Sequence, residues 1–235
     1  MLIKICGMAQ KNNIEAIDAL KPDFLGFIFY PPSPRFVGKE ASFSPEILTS
    51  LQAQKVGVFV NETIENILAY TTKYQLDAIQ LHGQEDLAYL QKLKQQIHSS
   101  APLPPFHPST LSPFHPSTLP PFHPSPLLIK AFSVDSNFDF DSLEHFVGIC
   151  DYFLFDTKGE KHGGNGIKFN WDILARYTLP TPFLLSGGIK PEDAEALVNL
   201  KHHALAGIDI NSGFEIQPAL KNVEAIQHFL QSFYE

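Results

Sequence analysis

PFLLSGGIKPEDAEALVNL, residues 182–200, holds one complete unit of the pattern that decides the fold. A short apolar run, 182–188, reads as a buried strand and ends on two glycines. The helix-like segment 191–200 follows, with Pro191 at a first-turn position and two acids behind it, a proline-and-acid start signal. Outward from this unit the same alternation of apolar run and amphipathic stretch recurs. Further strands are expected at 2–6, 24–30, 55–60, 78–83, 127–133, 152–157 and 204–210, and further helices at 12–21, 62–74, 85–97 and 222–233. Asn61 stands before the 62–74 segment as its start signal.

The strand starts are evenly spaced except for one long gap between the fourth and fifth. That gap holds a tandem duplication: PFHPSTL at 105–111 recurs at 113–119, and PFHPSPL follows at 121–127. About half of the 19 prolines fall in 102–126, a density that removes amide donors and predicts an extended surface insert between helix 4 and strand 5. Its histidines, His107, His115 and His123, read as parts of an exposed loop expansion rather than as metal ligands. With the insert excised the spacing is regular, and eight βα cycles predict a closed (β/α)8 barrel over a single domain, 1–235. An open flavodoxin-like sheet would leave strands over.

Composition narrows the function. The chain has 235 residues, 44% hydrophobic and 18% charged, the balance of one sizeable domain with a full core. Its 25 acidic and 17 basic side chains give a formal charge of -8, which argues against nucleic acid or an anionic membrane as partner. The two cysteines, Cys6 and Cys150, lie far apart with no paired spacing, so neither a disulfide framework nor a metal site is expected and a reducing cytoplasm fits best. No apolar run approaches the roughly 18 residues of a membrane span.

In such a barrel the chemistry belongs in the loops at the carboxyl ends of the strands. Cys6 ends the first strand, Arg35 lies in PPSPRF after the second, His82 ends the fourth and Asp156 the sixth. Alone, each has a plain structural role: a small buried hydrophobe, a solvated charge, a packing histidine, a turn cap. Their coincidence on one face favours a site. LLSGGIKPEDA sets Gly187 and Gly188 between strand and helix, and DINSGFEI sets Ser212 and Gly213 one strand later, where backbone amides can approach an anion. Loops after strands seven and eight form the recurrent phosphate site of this architecture, so an acidic protein can bind a phosphorylated small molecule through backbone dipoles. TKGEKHGGNGIKF after strand six reads as a cover, with Gly163 and Gly164 as hinge points and Lys158, Lys161 and His162 as added positive charge. Cys6 and Asp156 face one another across the mouth. A free thiol titrates near about 8.5 and a free aspartate near about 3.9, so base work needs the thiol to lose its proton and acid work needs the carboxyl to keep one. No metal motif or dinucleotide fingerprint is present, so proton transfer without a cofactor is the chemistry indicated.

KICGM (4–8), GFIFYPPSPRFV (26–37), VGVFVNE (56–62), IQLHGQED (79–86), FDTKGEKHGGNGIKFNW (155–171), LLSGGIKPEDA (184–194) and GIDINSGFE (207–215) together resemble phosphoribosylanthranilate isomerases, enzymes of tryptophan biosynthesis that perform an Amadori rearrangement. The resemblance implies that Cys6 is the general base at C2′ of the opened sugar and Asp156 the general acid at the ring oxygen. It further implies that Arg35 holds the anthranilate carboxylate, that Gly187, Gly188, Ser212 and Gly213 hold the phosphate, and that His82 and Gly164 line the site. No cofactor is implied, and the family contains both monomers and homodimers. An indole-glycerol-phosphate synthase would be expected to carry a lysine at a strand end, whereas Lys4 lies within one. Histidine-pathway isomerases typically place an aspartate where Cys6 stands, and a non-catalytic sugar-phosphate module would lack the acid or the base. The insert enters after a helix, on the amino-terminal face, remote from the chemistry.

Overall fold

The computed structural model describes residues 1–39, 43–100, 125–157 and 170–233. Eight parallel strands close into a barrel in chain order, from β1 (Leu2–Ile5), β2 (Phe24–Ile28), β3 (Gln54–Phe59) and β4 (Ala78–Leu81) to β5 (Leu127–Val134), β6 (Tyr152–Thr157), β7 (Phe183–Leu185) and β8 (Leu205–Ile210). The ring is sealed by β1 against β8, with Lys4 opposite Asp209 and Ile5 opposite Ile210. Helices α1 (Lys11–Asp18), α2 (Pro45–Thr49), α3 (Ile64–Tyr74), α4 (Leu87–Ser100), α5 (Ala194–Asn199) and α6 (Val223–Gln231) pack outside.

Side chains alternate along each strand, so one set faces the helices and the other the barrel interior. Ile3, Ile5, Leu25, Phe27, Phe153 and Phe155 join the helices' apolar residues in the larger core. Cys6, Phe24, Val58, Ile129, Leu154 and Leu184 form a separate inner cluster. Because the lumen is filled, the barrel is a rigid plug that supports whatever stands at its upper rim.

The lower rim is tied by a device repeated at three of the four even-numbered strands. Asp23, Asp77 and Asp151 each immediately precede an even-numbered strand, and each carboxylate accepts from the amide near the start of the strand before it: Ile3 N at 2.7 Å, Lys55 N at 2.8 Å and Leu128 N at 2.7 Å. An ionised acceptor on an amide that the ladder leaves over is among the stronger hydrogen bonds available.

Several local expectations are revised. The start of α3 is capped by Thr63, whose Oγ1 accepts from Asn66 N at 3.2 Å. Asn61 instead sits in a left-handed turn, φ 49°, and its side chain accepts from Gln84 N at 2.7 Å, joining the loops after β3 and β4. After β5 and β6 the described parts of the connections hold 3-10 helical segments, Asp141–Phe146 and Trp171–Arg176. Segment 191–200 begins as a 3-10 turn, Pro191–Asp193, before α5. A small antiparallel hairpin, β9 (Glu215–Gln217) and β10 (Leu220–Lys221), follows β8 with no counterpart in the sequence pattern. Most of the insert 102–126, including its three histidines, lies outside the described residues.

Candidate active site

KICGM is held between two neighbours. Cys6 N donates to Ile210 O at 2.9 Å, and beyond the strand Gly7 N and Met8 N both donate to Gly26 O, at 2.9 and 3.0 Å. Gly7 has φ 78°, and a side chain there would strike the Cδ of Arg35 and the Oδ1 of Asn211 at 2.7 Å, so glycine lets the chain turn at once beneath that loop. Cys6 is thereby fixed on the inner face at the rim. Across from it Gly26 supplies room: a Cβ at that position would lie 2.8 Å from Cys6 Sγ.

One cavity at the carboxyl end of the barrel is lined by Cys6, His82, Asp156, Gly187, Gly188, Ser212 and Gly213. Residues that directly follow β1 and β4, one from β6 and others from the loops after β7 and β8 thus meet in one space. Gly164 of the expected set falls in 158–169, outside the described residues, with Lys158, Lys161, His162 and Gly163. Arg35 is buried in the loop after β2 but is not among the lining residues, although Tyr30 and Ser33 of the same loop are. Its guanidinium forks onto Glu215, Nε at 2.9 Å and Nη2 at 2.6 Å. The same carboxylate accepts from Lys221 Nζ at 2.6 Å. Burial works to raise the Glu215 carboxyl, but the Arg35 hydrogen bond and the Lys221 charge outweigh it and hold the group below its ordinary range.

Asp156 accepts from Thr157 N through Oδ1 at 2.9 Å and meets His82 Nε2 through Oδ2 at 3.2 Å. Behind the imidazole, His82 Nδ1 lies 3.0 Å from Gln80 Nε2. Gln80 Oε1 is buried with no hydrogen-bond partner among the described residues. Turning that amide over would set Oε1 against Nδ1–H and free Nε2 of the imidazole to accept a proton from Asp156. The chain Gln80–His82–Asp156 can therefore serve the carboxyl in either of its proton states.

Below Cys6, Lys4 is fully buried and its Nζ lies 2.8 Å from Asp209 Oδ1. Burial pushes the Cys6 thiol up, Lys4 and Lys221 pull it down and Asp209 opposes them; the balance is above the ordinary thiol value. Burial also acts to lower Lys4, yet attraction to Asp209 and Cys6 prevails and keeps it charged. Cys150, the other thiol, is pushed up to about 12 by burial, as befits an inert core cysteine.

Gly187 and Gly188 adopt φ 94° and 64°, consecutive left-handed residues, and a side chain on Gly187 would collide with Thr157. A Cβ on Gly213 would collide with the carbonyl of Ile189, so the loops after β7 and β8 touch through their backbones. Lys4, Gln80, Asp209 and Glu215 went unassigned in the sequence. Of these, Lys4 was within reach, because strand alternation places it on the same face as Cys6.

The sequence model of the family described as N-(5'phosphoribosyl)anthranilate (PRA) isomerase matches residues 3–104 and 124–232, passing over most of the duplicated insert. Proteins named N-(5'-phosphoribosyl)anthranilate isomerase from Parabacteroides distasonis and Phocaeicola vulgatus are each 41% identical, over 98% of this chain and 92% and 96% of their own lengths. Among solved structures, phosphoribosyl anthranilate isomerase from Thermotoga maritima superposes with a TM-score of 0.74 at 27% identity, covering 100% of this chain and 98% of that one. A phosphoribosyl anthranilate isomerase in complex with reduced 1-(o-carboxyphenylamino)-1-deoxyribulose 5-phosphate gives 0.71 at 26% identity, with the same coverage. The chain belongs to the N-(5'-phosphoribosyl)anthranilate isomerase family.

Proposed function

We propose that this chain converts N-(5'-phosphoribosyl)anthranilate to 1-(2-carboxyphenylamino)-1-deoxyribulose 5-phosphate by general acid–base catalysis, with Cys6 as base and Asp156 as acid. The observation that carries the reading is the convergence of a thiol, a carboxyl group and two glycine loops on one cavity at the carboxyl end of the barrel. Asp156 gives a proton to the furanose ring oxygen, and the ring opens to an iminium ion. The Cys6 thiolate takes the C2′ proton, and the resulting enol tautomerises to the aminoketose. One proton is given and one taken, so no cofactor enters the balance.

The backbone at Gly187, Gly188, Ser212 and Gly213 receives the phosphate, which lets a chain with a charge of -8 bind an anion without a field of lysines. Arg35, held by Glu215 through Nε and Nη2, offers Nη1 to the anthranilate carboxylate. His82 steadies Asp156. The reaction takes place in the cytoplasm, in a monomer or homodimer.

The anthranilate ring of the substrate is fluorescent, so its consumption by purified protein is read directly. Cys6→Ser and Asp156→Asn are each expected to lower turnover at least about a hundredfold. Near wild-type turnover in both would sink the assigned roles.

A further inference from the structure

We infer that Lys4 and Asp209 are positioning residues of opposed charge for Cys6: the Lys4 ammonium stabilises the thiolate that accepts the substrate proton, and the Asp209 carboxylate anchors that ammonium while itself opposing the thiolate. The inference rests on the reading of Cys6 as the base. Lys4 and Cys6 are two residues apart on the inner face of β1, and Lys4 and Asp209 are opposed residues at the seam that closes the barrel. Both are buried, at 0% and 5% exposure, and 2.8 Å apart. Such a pair is a weak stabilising device, because well-packed apolar residues of similar volume usually serve as well or better. Its place under the thiol is what stability leaves unexplained. The Lys4 charge works to lower the Cys6 thiol and the Cys6 charge to raise Lys4, so the ammonium acts on thiol and carboxylate alike.

Among the described residues, the other charges near Cys6 have partners of their own. Lys221 of β10 is committed to Glu215 at 2.6 Å and to Asn211 Oδ1 at 2.7 Å. Arg35, in the loop over Gly7, is committed to Glu215. His82 and Asp156 line the same cavity and are paired with each other. When the thiolate takes the C2′ proton the ammonium keeps all of its own, so Lys4 acts through charge and placement and transfers nothing.

The test reads the thiol without substrate. The rate of Cys6 alkylation by iodoacetamide is followed against pH in wild type, Lys4→Met and Asp209→Asn, with the modified peptide identified by mass spectrometry. Lys4→Met removes the cation and should move the alkylation midpoint up by at least about one pH unit, slowing alkylation roughly tenfold at pH 7. Asp209→Asn removes the anion beside that cation and should move the midpoint down. Shifts of opposite sign support the inference; no shift, or two shifts in one direction, as a merely structural pair would give, overturns it. If Lys4→Met fails to fold by circular dichroism, Asp209→Asn decides alone, and an unchanged or raised midpoint overturns the inference. The acid limb of kcat/KM should follow the alkylation midpoint in each folded variant. A midpoint that moves while that limb stays put refutes Cys6 as the base and leaves the pair's effect on the thiol standing.

Discussion

Glu215→Gln should be among the most damaging single changes outside the cavity. The carboxylate accepts from Arg35 Nε at 2.9 Å, Arg35 Nη2 at 2.6 Å, Lys221 Nζ at 2.6 Å and Ala219 N at 3.2 Å. Its side chain is 5% exposed, and those of the two cations are 10% and 0% exposed. The amide keeps the shape but leaves two buried cations without a counter-charge, and breaking a buried pair in this way costs about 3–5 kcal/mol. For a chain of this length each kcal/mol corresponds to roughly 2–4 °C of Tm, so a fall of roughly 6–20 °C is expected. Glu15→Gln is the control: its partner Lys11 is 3.9 Å away and both side chains are more than half exposed, so Tm should stay within about 2 °C of wild type. The pH dependence has a definite sign. The Glu215 carboxyl lies below its ordinary value of 4.5, so its contribution is complete above that pH and is lost as pH falls through the depressed folded value. The Tm gap between wild type and Glu215→Gln, measured by circular dichroism, should therefore be full at pH 7 and close on acidification. A fall no larger than that of Glu15→Gln, or a gap that widens in acid, would refute the reasoning.

Two further outcomes are expected. Gly26→Ala presses a methyl group against Cys6 Sγ, 2.8 Å from the ideal Cβ position, so kcat in the fluorescence assay should fall at least about tenfold while KM changes little, because a displaced reacting group loses orientation rather than binding. Deleting residues 105–123, which the family match passes over, should leave turnover within about twofold of wild type, since catalysis in this architecture sits on the opposite face.

The strands were legible because burial on both faces selects apolar runs, and the 152–157 strand agrees with its expected bounds. The start of α3 was misread because both Asn61 and Thr63 are cap-competent residues, and what separates them is the left-handed backbone at Asn61 and its bond to Gln84 on the next loop. The 3-10 segments after β5 and β6 were not foreseen, since short segments lack the length on which periodicity depends. The aspartates before β2, β4 and β6 were visible in the sequence, but their common task appears only when each is seen against the preceding strand. The pairing of Arg35 with Glu215, 180 positions away, could not be read from the loop that carries Arg35.

The sequence by itself determined the eight-fold repeat, the closed barrel, the strand ends where chemistry gathers and the family, because alternation and glycine placement are local properties written within one βα unit. Only the tertiary structure decided which buried charges meet. Lys4 and Asp209 stand 205 positions apart, and nothing local to either specifies the other. Their contact follows from closure of the ring, which fixes the register of the last strand against the first.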